Sequence, residues 1–325
     1  MKTILILALD GVMDSSLGIT TDTVRAAQFL TRGGKSTTVR LMTAGYRKTV
    51  ATGSGMRLTT DCRFVDVMSG EVRPDWIVIP GLGLASDEII RSRLAKADAK
   101  AAIELLRGAP ASTRIGASCS AVFLLARTGL LAGRHATSTW WLAHLFRTHY
   151  PDIKLDETRM LVRDGRLYTA GAAYAQLDLV LAVIADLMGS AAAETCSRYL
   201  LMDQRPSQAR YMAQSHTQHV DPTVVAAERW IDAHLAEPIS VAQIAEALAL
   251  SPKTLARRLD AAMGLTPLKF VQRRRLMQAS HLLESTTLAI EAIAEQVGYQ
   301  DGTALRKLIK REFGATPNAL RPTRA

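Results

Sequence analysis

Two sets of residues in this chain have the types and spacing to do chemistry. The first surrounds Cys119. Residues 113–121, TRIGASCSA, pass from an apolar strand-like run through Gly-x-x-Cys into a helix-like run. A sharp strand-to-helix turn exposes a nucleophile at the end of a sheet, beside backbone N–H groups that hold an anion. A helix N-terminus also favours the thiolate. Cys119 is therefore a nucleophile candidate, with a small buried cysteine as the plainer reading. Pro80-Gly81-Leu82-Gly83, after an apolar run at 76–79, offers further N–H donors. The second set lies near the end of the chain. Lys253, Arg257 and Arg258 share the polar face of one helical pattern, and Thr303, Arg306, Lys307 and Lys310 share that of another. Cations along one helix face suit the phosphates and base edges of duplex DNA.

The second set belongs to an internal repeat. Ile244-Ala245-Glu246 recurs as Ile293-Ala294-Glu295, 49 residues later. Leu255, Leu259 and Met263 recur as Leu305, Ile309 and Phe313, and Gly264-x-Thr266-Pro267 recurs as Gly314-x-Thr316-Pro317, both 50 residues later. The one-residue slip falls between Leu248 and Leu255, where a turn absorbs it. Each copy reads as a short helix (241–248 or 289–297), a tight turn and a second helix. That second helix is capped by Ser251 and Pro252 in the first copy and by Asp301 in the second. Apolar residues at i, i+4 and i+8 bury one stripe of the second helix. Two such helices with a cationic outer face form a helix-turn-helix. Between the copies, a helix over 268–284 carries Arg273-Arg274-Arg275 and is expected to hold the two units about one turn of B-DNA apart, roughly 34 Å.

Length and composition set the frame. At 325 residues the chain is long for one domain. A 48% hydrophobic content builds a core without metals or disulfides. The net charge of +10 favours a polyanionic partner, yet residues 222–325 hold only +4 of it, from 14 Lys+Arg against 10 Asp+Glu. DNA binding is thus argued from arrangement, not bulk charge. Three widely spaced cysteines, Cys62, Cys119 and Cys196, make no disulfide framework and fit a reducing, cytoplasmic setting. The N-terminal apolar run stops at Asp10-Gly11 and reads as a buried strand instead of a signal peptide, and no apolar run reaches membrane-spanning length. No metal or cofactor site is read.

The first part alternates strands and helices. Strands are predicted at 4–9, 36–42, 76–79 and 114–117, and helices at 20–31 (ending at Gly33-Gly34), 87–107, 121–127, 175–188 and 189–200. That order implies a parallel sheet covered on both faces. Residues 203–222 are polar, without apolar period, and read as a linker; beyond Pro222 every pattern is helical. The fold class expected is an α/β first domain, flavodoxin-like, with an all-α second domain of two helix-turn-helix units. The boundaries expected are 1–190 for a sensor and dimerisation domain, 191–225 for a connecting helix and linker, and 226–325 for the DNA-binding domain.

The segment 226–321, with its ends FGATPNALR and GLTPLKF, resembles the AraC/XylS family of transcription regulators. The resemblance implies two recognition helices, with base-reading positions at Lys253, Ala256 and Arg257, then Thr303, Arg306 and Lys307, and Lys310 beside them. Ala256 departs from this pattern, being long enough only for a thymine methyl, and Gly302 brings no side chain. Arg257 and Arg306 remain open to guanine. Residues 3–188, above all GASCSAVFLLARTGLLAGRHAT, resemble the ThiJ/PfpI branch of the class I glutamine amidotransferase-like fold. The two together are the arrangement of GlxA-type regulators. This resemblance implies a histidine just before a tryptophan, to take the thiol proton. Thr139, before Trp140, stands there instead; His135 and His144 are near in sequence but displaced, and Asp14 or Asp10 is the acidic candidate. The chain is accordingly expected to be no enzyme, with Cys119 a vestigial nucleophile. Asp14, Ser16, Gly83, Cys119, Ser120, Thr139 and Trp140 are then expected to line a ligand pocket at the C-terminal ends of the strands, with Trp140 offering its ring to a cation.

The partners expected are promoter DNA, a small-molecule effector such as an amino acid or amine, a second copy of the chain, and RNA polymerase if the protein activates. The competing readings are a cysteine-dependent hydrolase or glyoxalase-like enzyme tethered to DNA, and a thiol redox sensor acting through Cys119.

Overall fold

The computed structural model describes residues 1–31, 38–203, 205, 207–212 and 221–321. The expected helix end at Gly33-Gly34, the start of the 36–42 strand and much of the linker lie outside them. The chain divides into two compact units, Met1–Phe146 with Tyr150–Arg205, and Pro206–Ala325 with Arg147–His149.

The first unit is built on strands β1 (Lys2–Ala8), β2 (Val39–Gly45), β3 (Thr49–Ala51), β4 (Arg57–Thr59), β5 (Cys62–Arg63), β6 (Trp76–Ile79), β7 (Arg114–Ser118), β8 (His135–Ala136), β9 (Lys154–Leu155), β10 (Leu161–Asp164) and β11 (Leu167–Ala170). Seven of them form one sheet in the order β10-β11-β7-β6-β1-β2-β5. All neighbours in it are parallel except β10 with β11. The central strands are apolar on both faces, as a doubly covered parallel sheet requires. Leu5, Leu7, Ile77 and Ile79 face one core with Phe123 and Leu106. Ile4, Trp76 and Val78 face the other, with Val24, Val183 and Cys196. The period of two along β1 and β6 is what splits the core this way.

The helix Asp14–Leu30 begins six residues before its sequence-based start. Its first turns, DSSLGITT, are poor helix formers, but burial of Ser16, Thr20 and Thr23 overrides propensity. The helix Ser190–Tyr199, read from sequence as part of the connection, belongs to the first unit and lies on helices Asp14–Leu30 and Gln176–Met188. The expected helix over 87–107 is two, Asp87–Leu94 and Ala97–Arg107. Arg93 and Asp98 flank the break, both buried, and pair bidentately at 2.8 and 2.6 Å. Arg93 Nε also donates to the Asp10 carbonyl at 2.9 Å, and the Asp10 N–H donates to Asp98 at 3.1 Å. Burial works to raise the Asp98 carboxyl, but the Arg93 hydrogen bonds and charge prevail and leave it below its ordinary 3.8.

The second unit is helical throughout its longer described part: Pro222–Ala233, Val241–Ala247, Pro252–Met263, Pro267–Ser285, Ile290–Gln296, Gly302–Phe313 and Pro317–Leu320. Arg274 is buried and reaches Asp232 with Nε at 2.9 Å and Glu228 with Nη1 at 3.3 Å, tying Pro267–Ser285 to Pro222–Ala233.

Removing one partner of a buried pair strands the other charge. Asp98→Ala should therefore cost about 3 kcal/mol in urea unfolding. Because the folded carboxyl lies below its ordinary value, the pair's contribution is present above pH 3.8 and fades as pH falls below it. A variant as stable as the parent at pH 7 would show the pair contributes nothing.

Candidate nucleic-acid interface and the Cys119 site

Each helix-turn-helix is fixed by its helix ends. In the first, Leu250 N–H donates back to Ala245 O at 2.8 Å; in the second, Tyr299 N–H donates to Ala294 O, also at 2.8 Å. Both bonds need a left-handed residue between, and these are Ala249 (φ 53°) and Gly298 (φ 74°). Gln300 is the extra residue that makes the slip, sitting between this turn and the next cap. Ser251 Oγ then accepts from Thr254 N–H at 3.1 Å, and Asp301 Oδ1 from Ala304 N–H at 2.7 Å. The repeated Gly-x-Thr-Pro is a joint between helices. Gly264 (φ 63°) and Gly314 (φ 68°) end one helix in the left-handed region, while Thr266 and Thr316 cap the next, with proline at its first position.

The second helix of each unit buries its stripe, Leu255, Leu259 and Met263, then Leu305, Ile309 and Phe313. The opposite face is as the sequence reading had it. Lys253, Arg257, Thr303, Arg306, Lys307 and Lys310 are exposed and Ala256 is half-buried. Lys253, Arg257, Lys307 and Lys310 have no ion-pair partner among the described residues. Arg258 differs, because it bonds Thr223 Oγ1 and lies 3.5 Å from Asp221, at the start of helix Pro222–Ala233. Arg306 differs too, donating through Nη2 to Glu291 Oε1 at 2.7 Å. A cleft of about 510 Å³ beside the second unit is lined by Arg306, Lys307, Lys310, Thr316, Asn318 and Arg321, a cationic setting for an anion. Of the triple arginine, Arg274 is used inside the unit and Arg275 donates to the Glu237 carbonyl at 2.6 Å beneath the Tyr299 ring.

In the first unit, the chain runs from β1 to β2 on one side of β1 and returns to β6 on its other side. Ligands gather at such a switch point, outside the C-terminal strand ends. Cys119 lies there after β7, with φ 54°, and is 3% exposed. Its N–H donates to Ala170 O and Gly171 O at 3.0 and 2.8 Å, so it is turned toward the end of β11. Gly81 makes the close approach possible. A Cβ there would stand 3.1 Å from Met13 Sδ and 3.3 Å from both Cys119 Cβ and Ser16 Oγ. Ser120 Oγ accepts from Leu84 N–H at 3.1 Å, and Ser138 Oγ donates to the Cys119 carbonyl at 3.2 Å.

Burial pushes the Cys119 thiol up, against smaller opposing effects of Ser120 and Thr139. Thr139 Oγ1 is near enough to favour the thiolate, but among the described residues it makes no hydrogen bond of normal geometry, and Ser16 Oγ is buried without a partner among them. Among the described residues, no histidine acts on the thiol. Asp14 turns elsewhere, accepting from Ser54 N–H at 3.1 Å and Ser54 Oγ at 3.0 Å, and hydrogen bonding, Thr52 foremost, holds its carboxyl below the usual range. Asp10 accepts from Ala51 N–H at 2.9 Å. Trp140 sets its ring edge-to-face with Trp141 at 5.2 Å, and Gly83 (φ 62°) lies by Met13. The structure thus brings Ser16, Cys119, Ser120 and Thr139 together and directs Asp14 to a neighbouring loop. Met13 and Ser138 join the site without a motif to announce them.

Residues 2–186 match the DJ-1/PfpI family. The chain belongs to the DJ-1/PfpI family. Residues 244–323 match a helix-turn-helix domain, so a DJ-1/PfpI domain is followed here by a helix-turn-helix domain of AraC type. The chain is similar to the HTH-type transcriptional regulator GlxA of Rhizobium meliloti (strain 1021), 29% identical over 216 residues, which cover 64% of this chain and 65% of that relative. It is also similar to the HTH-type transcriptional activator RhaS of Escherichia fergusonii, 39% identical over 95 residues, 29% of this chain and 34% of that one. The matched regions therefore span less than two thirds of either relative. Among solved structures, Drosophila melanogaster DJ-1beta superposes with a TM-score of 0.50 at 19% identity, covering 62% of this chain and 99% of that one, a likeness of fold.

Two outcomes follow from this geometry. Ala249→Gly relieves a left-handed Cβ and should raise unfolding stability by about 1 kcal/mol. Gly298→Ala should lower it by more, since its Cβ would stand 2.3 Å from the Leu235 carbonyl oxygen. Equal effects at the two positions would rule out the shared turn. Cys119, buried and protonated at neutral pH, should react with a thiol reagent at pH 7 far more slowly than after denaturation; prompt labelling of the native chain at Cys119 would reverse that reading.

Proposed function

We propose that this protein is a sequence-specific DNA-binding regulator of transcription whose DJ-1/PfpI domain senses a small metabolite without catalysing a reaction. The observation that carries the reading is the pair of helix-turn-helix units, each presenting exposed cations on the face opposite its buried stripe. In this reading Arg257 and Arg306 pair with guanine, Lys253, Thr303 and Lys307 flank them, Ala256 meets at most a thymine methyl, and Lys310 faces phosphate. The two second helices enter successive major grooves, held by the helix between them.

The effector is a small polar metabolite, an amino acid or amine being the class favoured here, taken up beside Ser16, Cys119, Ser120 and Thr139. The likeness to GlxA and RhaS supports regulation, and that to RhaS supports activation, with RNA polymerase as a further partner. The protein acts as a homodimer in the cytoplasm, on the nucleoid when bound. An enzyme or a thiol sensor needs a ready thiolate at Cys119, which its burial opposes.

The test is titration of the full chain against the DNA upstream of its own gene and against random duplex, over a range of salt. Specific binding should be at least about 10³-fold tighter and should weaken steeply with salt. Arg257→Ala should cost about 1–3 kcal/mol and relax one base pair, whereas Lys310→Ala should weaken all sequences alike and reduce the salt slope by about one. Affinity for the upstream DNA no greater than for random duplex would end this proposal.

A further inference from the structure

The two copies of the helix-turn-helix differ at one linked set of positions. Arg306 and Glu291 form an ion pair at 2.7 Å across the turn of the second copy. Glu291 corresponds, at the 49-residue offset, to Ala242, and Arg306, at the 50-residue offset, to Ala256. Both partners are present in one copy and both are alanine in the other. A third position agrees. Gly302, first residue of the second copy's outer helix, is buried, and a Cβ there would stand 2.9 Å from Glu291 Oε1 and 3.3 Å from Arg306 Nη1. Its counterpart in the first copy is Pro252, which has no such pair to accommodate. The missing side chain at 302 is thus the space in which the pair lies.

We infer that Glu291 is the positioning residue for Arg306, holding its guanidinium for one base pair and making the second helix-turn-helix the more discriminating of the two. This rests on the DNA-reading function proposed above. An exposed ion pair adds little to stability, so fold stability gives a weak reason for three matched positions. Orientation gives a better one. A free arginine spreads over many rotamers and binds any nearby phosphate, whereas one fixed at Nη2 keeps four of its five N–H donors for a bidentate fork on guanine. The Glu291 carboxyl is held below its usual range by its own backbone N–H at the helix start and then by Arg306, so it stays ionised. An ionised carboxylate at this edge also repels phosphate, which lowers binding to DNA of the wrong sequence.

The experiment selects binding sites from random duplex with the full chain. It then measures affinities for every single-base change in the selected site, for the parent, Arg306→Ala, Glu291→Ala and Glu291→Gln. Arg306→Ala should lose discrimination at one base pair. Glu291→Ala should lose on the order of tenfold at that same base pair, keep the others, and bind random duplex at least as well as the parent. Glu291→Gln, which keeps an acceptor oxygen for Nη2, should lose less. Full discrimination at that base pair in Glu291→Ala would overturn the inference. So would an equal loss at every position, or an Arg306→Ala protein that keeps discrimination everywhere. A parent chain that selects no sequence would bring down the DNA-reading function itself, a result seen before any variant is made.

Discussion

A helix leaves backbone groups unsatisfied at both ends, and the geometry of the second unit is largely an answer to that requirement. One left-handed residue, Ala249 or Gly298, folds the chain back so that an N–H three positions past the end of the first helix reaches a carbonyl inside it. Ser251 or Asp301 then caps the start of the second helix, its side chain accepting from an N–H of the first turn. The direction of that helix follows from these two events, and the direction decides which residues lie in the buried stripe and which face outward. Glycine suits the left-handed position in one copy; alanine accepts strain in the other. The same economy governs Gly264-x-Thr266-Pro267 and its second occurrence, where four residues end one helix and begin the next.

The first unit meets a comparable constraint with a different result. Cys119 has the left-handed backbone of a strand-to-helix turn, yet the turn serves no activated thiol. Its N–H is committed to the end of β11, its sulfur is buried, and the hydroxyls of Ser16, Ser120 and Thr139 surround it where charged or basic groups would be needed for acid–base work. Asp14 and Asp10 serve the loop at 51–54. What persists is a cluster of hydroxyls around a buried thiol at the sheet's switch point.

Much of this was legible in the sequence because caps and turns are local. Ser251-Pro252, Asp301 and both Gly-x-Thr-Pro joints could be placed from residue types alone, as could β6 and the turn at Cys119. Contacts between distant elements were not legible. An alanine-rich run at 87–107 has helical propensity throughout, and only the Arg93–Asp98 pair, with Asp10 brought in from β1's far side, explains its break. Arg258 and Arg306 sit on the same faces as Arg257 and Lys307 by period, but Asp221, Thr223 and Glu291 come from other helices. The β10–β11 hairpin is a different case. Asp164-Gly165, between Leu161-Val162 and Leu167-Tyr168, is a turn signal that the sequence reading leaves unused.

Because the two units lie on one chain, they are not bound to remain alike. In a symmetric dimer of single helix-turn-helix proteins, every substitution appears in both half-sites at once. Here Gln300 has no counterpart in the first copy, and alanines at 242 and 256 stand where the other copy has Glu291 and Arg306. Each unit's recognition preferences are inherited separately, so half of a DNA site can drift while the other half stays fixed. A site recognised in this way has a head and a tail, and a single bound chain already has a direction along the duplex.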